Sequence, residues 1–140
     1  MGASAALVAR PVDDPLPQVI VDDVLAAAGQ LAGAWRASLD VSVVGITGSN
    51  GKTSVKEMVA SILAREGKTL ATSGNYNNEI GVPITLSRLD ASHQYAVIEM
   101  GAARQGDIRY LSQLVKPQVG ILTNAGPAHL ESFGSIDTIV

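Results

Sequence analysis

The stretch VVGITGSNGKTSVKEM, residues 43–58, decides how the rest of the chain reads. An apolar run feeds a loop of small residues, and the loop ends in Gly51-Lys52-Thr53. The spacing departs from the common phosphate-loop pattern G-x-x-x-x-G-K-[ST]. Counted back from Gly51, the first glycine of that pattern belongs at position 46, which is Ile, while Gly45 comes one residue early. Gly48 and Gly51 still permit unusual backbone angles, and Ser49 and Asn50 are small or turn-tolerant. A glycine-rich turn that opens a helix gathers backbone N–H groups around one cavity, and the helix dipole adds positive charge there. Lys52 can then reach outer phosphates, and Thr53 can offer its hydroxyl oxygen to Mg2+. The competing reading is a plain strand-to-helix turn with a solvated lysine. Placement between an apolar strand and a helix favours the phosphate cradle, formed by Thr47, Gly48, Ser49, Asn50, Gly51, Lys52, Thr53 and Ser54.

Working outward, strands and helices alternate from residue 41 on. Residues 41–47 read as a strand, and a helix runs from Lys52 to about Arg65, closed by Gly67. Residues 68–73 form the next strand, 74–81 a polar loop, and 82–89 a helix with a proline near its first turn. A strand at 95–101, a helix at 106–116 ended by Pro117, and a strand at 119–126 follow; residues 127–140 begin a loop and helix. Before this series, 4–9 and 18–21 read as short strands, with Asp22 or Asp23 capping a helix of about 15 residues in which Trp35 packs on the core or a neighbouring domain. The expected fold is α/β, a mostly parallel sheet with helices on both faces, P-loop NTPase-like. In such sheets ligands sit beyond the carboxyl ends of the strands. Polar residues cluster there after each strand: 47–53, 73–79, Glu99 and 123–129.

Composition narrows the function. The 140 residues have the length of one domain; 46% are apolar and 16% charged, which excludes a disordered tail. A net charge of −3 without a basic block argues against nucleic acid as a partner. There is no cysteine, so disulfides and thiolate metal sites are excluded, in keeping with a cytoplasmic location. No apolar run approaches the roughly 20 residues that span a bilayer, so no membrane insertion is expected. Both ends read as cut, the N-terminus opening straight into a strand and the C-terminus stopping as a helix starts, and we expect a piece of a longer protein.

A triphosphate site needs a carboxylate at its metal. Glu99 ends the apolar run YAVIE, where an unpaired charge would be costly, so it is the candidate; a solvated strand-end glutamate is the alternative. His129 alone reads as structural, since imidazole is a poor Mg2+ ligand, and His93, in the polar link DASHQ, reads as surface. Asn75, Asn77 and Asn78 could bind sugar hydroxyls, phosphate waters or peptide groups, or could equally form turns.

Taken in order, GITGSNGKTSVKEM, GNYNNEIGVPITL, VIEMGAARQGDI and NAGPAHLESFGS closely resemble the Mur ligases of peptidoglycan synthesis, most specifically over residues 42–136. Their phosphate loop has the T-G-x-N-G-K-T form, which accounts for the displaced glycine. The resemblance implies ATP and Mg2+ as cofactors, and a family member that joins D-alanyl-D-alanine to UDP-N-acetylmuramoyl-tripeptide through an acyl phosphate. Other members, or a non-catalytic nucleotide-binding module, are the alternatives. It assigns Lys52 to the phosphates, Thr53 and Glu99 to the first Mg2+, and His129 to a second, so that Lys52, Glu99 and His129 form the catalytic set. Asn75, Asn77 and Asn78 match the segment that approaches the phosphates and muramoyl substrate. Residues 1–23 resemble the tail of the family's UDP-sugar-binding domain, and 24–140 the first part of its central ATPase domain. The family's modified lysine, which follows its HLE segment and helps hold the second Mg2+, has no counterpart before Val140. The 140 residues alone are therefore expected to bind nucleotide weakly and to ligate nothing, and the longer protein to be a monomer.

Overall fold

The computed structural model describes residues 2–126. Two short parallel strands come first, β1 (Ala6–Val8) and β2 (Gln18–Ile20), paired to each other and, among the described residues, to no other strand. The link between them is short for a parallel pair. It is stapled by Gln18, whose amide donates to Val12 O at 2.9 Å and to Asp14 O at 3.1 Å and accepts from Val12 N at 2.9 Å. Helix α1 (Val24–Ala37) follows, and the Asp23 carboxylate caps it by accepting from the Ala26 amide at 3.0 Å.

From there the alternation expected from sequence is present: β3 (Ser42–Thr47), α2 (Lys52–Leu63), β4 (Thr69–Ala71), α3 (Gly81–Leu86), β5 (Tyr95–Glu99), α4 (Asp107–Val115) and β6 (Val119–Leu122). All pairs in the second sheet are parallel and the spatial order is β4-β5-β3-β6, so β3 lies inside the sheet. The chain steps one way from β3 to β4, then back from β4 to β5 and from β5 to β6. Right-handed crossovers place α2 on one face under that reversal and α3 and α4 on the other. Side-chain alternation agrees. Val43, Leu70, Ala96 and Ile98 join residues of α1, α3 and α4 in one buried cluster, whereas Ile46 and Val97, equally buried, stand outside it. Among the described residues the architecture is thus α/β, with a parallel sheet and helices on both faces.

Arg36 of α1 is 5% exposed and stitches this core together. Its guanidinium donates to Val115 O at 2.7 Å and Val41 O at 3.1 Å, tying α1 to the end of α4 and the approach to β3. Burial lowers its pKa from the ordinary value. Two details refine the expectation and one overturns it. Helix α2 ends at Leu63, close to the end expected at about Arg65, and Gly67 closes the following turn by donating to Leu63 O at 3.0 Å. Trp35 is half exposed and donates its indole N–H to Leu89 O at 2.9 Å. His93 is not a surface residue: it is 8% exposed because its ring folds under the turn, with Nδ1 3.0 Å from Asp90 Oδ1 and 3.2 Å from the Asp90 amide nitrogen. The Ser92 hydroxyl and amide bind the same carboxylate, with Lys68 and His93 beside it, and hold Asp90 well below the usual carboxylate range.

Candidate functional site

Because β3 is interior, the loop at its carboxyl end is flanked by the loops that leave β5 and β6. The register sets Ile46 opposite both Glu99 and Ile121, so these exits lie at one level. Residues 48–51 then make the turn into α2. Gly48 has φ +135, and a Cβ there would sit 2.9 Å from Asn124 O and 3.0 Å from Asn124 N, so both the angle and the lack of space demand glycine. Gly51, at φ +79, occupies the N-cap of α2 without a capping side chain, which leaves the positive end of the helix facing the turn.

The loop is held from behind by the exit of β6. The Ser49 amide donates to Asn124 O at 3.0 Å and the Asn50 amide to Asn124 Oδ1 at 3.0 Å. Asn50 O accepts from Thr123 Oγ1 at 2.6 Å and from Asn124 Nδ2 at 3.3 Å. Ser49 Oγ donates to Gly126 O at 3.0 Å and accepts from the Gly126 amide at 2.9 Å. Lys52 folds back over the turn and donates to Gly48 O at 2.7 Å. Its ammonium therefore lies against the loop, partly buried.

Opposite the loop stands Glu99, 2% exposed. Its Oε2 accepts from the Thr53 hydroxyl at 2.9 Å and its Oε1 from Asn77 Nδ2 at 2.9 Å; its amide donates to Thr72 Oγ1 at 2.9 Å. Asn77 is fixed in turn by the Gly101 amide, which donates to Asn77 O at 2.7 Å. A cleft of about 340 Å3 opens between these groups, lined by Ser49–Ser54, Gly74, Asn75, Asn77 and Glu99. Most of the residues singled out from sequence thus meet in one place. Thr47 and Gly48 stand behind the loop and do not line the cleft. Asn78 turns away, its Oδ1 accepting from the amides of Gly81 at 2.9 Å and Ile80 at 3.3 Å at the start of α3. His129 lies outside the described residues.

The donor set suits a hard cation only with help. Thr53 and Glu99 present two oxygens side by side, and no group of three or more His, Cys, Asp or Glu side chains that could hold a metal occurs among the described residues. Mg2+ keeps several waters and shares phosphate oxygens, so two protein oxygens beside a glycine-rich turn at a helix N-terminus fit it. The sequence reading passed over Asn124, Thr72 and Lys56. Lys56 carried a signal: it falls on the same inward stripe of α2 as Val59, Ala60 and Leu63, where an apolar residue is expected.

The family model for the Mur ligase middle domain matches residues 46–140. The chain is 53% identical over 135 residues to the UDP-N-acetylmuramoyl-tripeptide–D-alanyl-D-alanine ligase of Escherichia coli, covering 96% of this chain and 30% of that protein. It is 39% identical to the enzyme of the same name from Bacillus subtilis, covering 99% and 31%. Among solved structures, MurF from Acinetobacter baumannii superposes with a TM-score of 0.92 at 47% identity, over 99% of this chain and 31% of that one. MurF ligase from Thermotoga maritima in complex with ADP superposes at 0.89 and 34% identity, over 99% and 32%. The chain therefore spans about a third of the length of these relatives.

Proposed function

The chain belongs to the Mur ligase family, by its middle domain, and on that premise we propose that it forms the nucleotide site of an ATP-dependent ligase joining D-alanyl-D-alanine to UDP-N-acetylmuramoyl-tripeptide. The observation that carries this reading is the pairing of the Thr53 hydroxyl with the buried Glu99 carboxylate, 2.9 Å apart, at the mouth of a phosphate-type loop. ATP would lay its phosphates along residues 48–54, where the end of α2 attracts anions. Lys52 would exchange its bond to Gly48 O for one to an outer phosphate. Thr53 and Glu99 would hold Mg2+, which when bound would neutralise charge on the phosphates. Asn77 keeps Glu99 oriented so that Oε2 faces Thr53. Asn75, which lines the cleft, would meet the muramoyl substrate. We assign Asn78 to the same segment as a turn former that supports the other two.

A carboxylate is a poor electrophile. In the proposed reaction a substrate carboxylate oxygen attacks the γ-phosphorus of ATP, and the bond to the β-phosphate oxygen breaks. ADP leaves and an acyl phosphate forms. The amine of D-alanyl-D-alanine then adds to the acyl carbon, loses its proton, and expels inorganic phosphate. Bringing two anions together requires cations, which is the work assigned to Lys52 and the end of α2. His129 is proposed to serve a second Mg2+, residues 1–23 to end a preceding UDP-sugar domain, and the protein to be a monomer working in the cytoplasm, where ATP is held. No helix among the described residues is long and apolar enough to cross a membrane.

Two measurements test this. Titration with ADP and Mg2+ is expected to show binding that Lys52→Ala weakens at least about tenfold, the loss of one charge-assisted bond; equal affinity overturns the phosphate assignment. The Escherichia coli ligase, with its matching segment replaced by these 140 residues, is expected to release phosphate only when both substrates are present. In that chimera Glu99→Gln should cut kcat by about a hundredfold or more. Phosphate release that ignores D-alanyl-D-alanine would refute the ligase reading.

A further inference from the structure

Lys56 is 2% exposed, a cation buried beneath α2 where the fold has no evident need for one. Its Nζ donates to Thr72 O at 2.7 Å and pairs with Glu57 Oε1 at 2.7 Å, a carboxylate that is itself largely exposed. Thr72 lies one residue past β4, and its Oγ1 accepts the Glu99 amide at 2.9 Å, while the Thr72 amide donates to Val97 O at 3.0 Å. Glu99 accepts from Thr53, three residues before Lys56 on the same helix. These contacts close a ring: Thr53, one turn of α2, Lys56, Thr72, Glu99, and back to Thr53. The ring joins α2, the exit of β4 and the end of β5.

We propose that Lys56 is a positioning residue for the metal-binding pair, acting through Thr72 to fix the backbone of Glu99 so that its carboxylate stays against Thr53. This rests on the reading of Thr53 and Glu99 as Mg2+ ligands. The reason is geometric. Glu99 is paired with β3 but no longer with β4, whose ladder to β5 ends at Val97, so its backbone is restrained on one side only. The Thr72 hydroxyl supplies the missing restraint, and Lys56 holds Thr72 by its carbonyl. A cation does this better than an apolar residue because it binds a carbonyl that would otherwise be buried without a partner. Glu57 is exposed and stays solvated when its partner is removed, and methionine fills much of the lysine's space with a flexible, unbranched side chain. Lys56→Met is therefore expected to fold while freeing the ring.

The test compares Lys56→Met, Thr72→Val, Thr72→Ser and Thr53→Ala with the parent chain. Affinity for ADP is measured in Mg2+ and in EDTA, and exchange of the Glu99 amide hydrogen is followed without nucleotide. Lys56→Met and Thr72→Val should each speed Glu99 exchange and lower ADP affinity in Mg2+ by about tenfold, with affinity in EDTA unchanged. Thr72→Ser, which keeps the hydroxyl, should match the parent on both counts. The double variant Lys56→Met/Thr72→Val should be no worse than the poorer single one, because both break one path. A lysine with only a structural role would instead lower affinity in Mg2+ and EDTA alike, and that result overturns the proposal. So does a Lys56→Met chain with the parent's Glu99 exchange and Mg2+ response. If Lys56→Met does not fold, Thr72→Val with the parent's Mg2+ response overturns it. Thr53→Ala separates the two levels: if its Mg2+ response equals the parent's, the metal assignment fails and this inference falls with it.

Discussion

Gly48 is the residue on which the loop's shape turns. Its φ of +135 is one that side chains rarely adopt, and the backbone of Asn124 fills the space a Cβ would need. Gly48→Ala should therefore lose about 1–3 kcal/mol of stability from strain alone. It should also abolish the ADP response, because the turn cannot open without moving Asn124; urea unfolding and ADP titration of the same variant check both. Gly51, also at positive φ, has nothing within 4 Å of its missing Cβ, so only the angle argues for glycine there. At this scale the sequence was legible where a residue type has few other uses. A Gly-Lys-Thr run after an apolar strand, or a glutamate ending YAVIE, contradicts its surroundings unless it has a task. It was not legible where one residue type serves two ends. Asn77 braces Glu99 and Asn78 caps a turn, yet they are adjacent and chemically identical. His93 misled for the same reason: a polar link hides a ring that is buried by a local contact with Asp90.

Elements were the most legible level, because period and punctuation agree. Asp23 caps α1, Gly67 closes the turn after α2, and Pro117 follows α4. Docking between elements was not readable, since it depends on long-range partners such as Arg36. In the sequence that residue is an unremarked arginine in an Ala-rich helix; in the fold it holds carbonyls of Val115 and Val41 from a buried position. Arg36→Ala should cost about 3 kcal/mol, leaving buried carbonyls without donors. The loss should show in thermal unfolding, with α1 rather than α2 gaining amide exchange. Helix α2 belongs to the opposite face and to the site, so nucleotide affinity of the folded fraction should hold. A matching loss of affinity would mean the two faces are coupled more tightly than the packing implies.

Across the whole molecule, the described residues fall into a two-stranded pair and a four-stranded sheet that share no ladder. None of the residues lining the cleft comes from the first 47 positions. A chain lacking residues 2–22 should therefore keep the sheet and its ADP response, which circular dichroism and titration would show; loss of both would make β1 and β2 integral to the central fold. The convergence of loops on one rim was legible from strand order alone, because parallel strands send all their exits the same way. That β3 sits inside the sheet was not, since neighbours in space need not be neighbours in sequence. Its placement sets an order of events during synthesis. The turn at Gly48 to Gly51 is made early on the ribosome, but the groups that clasp it, Thr123 and Asn124, emerge more than seventy residues later. Until then the nascent chain carries the proposed phosphate loop without its rear wall, so competence to hold a nucleotide should arrive abruptly, with the fourth strand of the sheet.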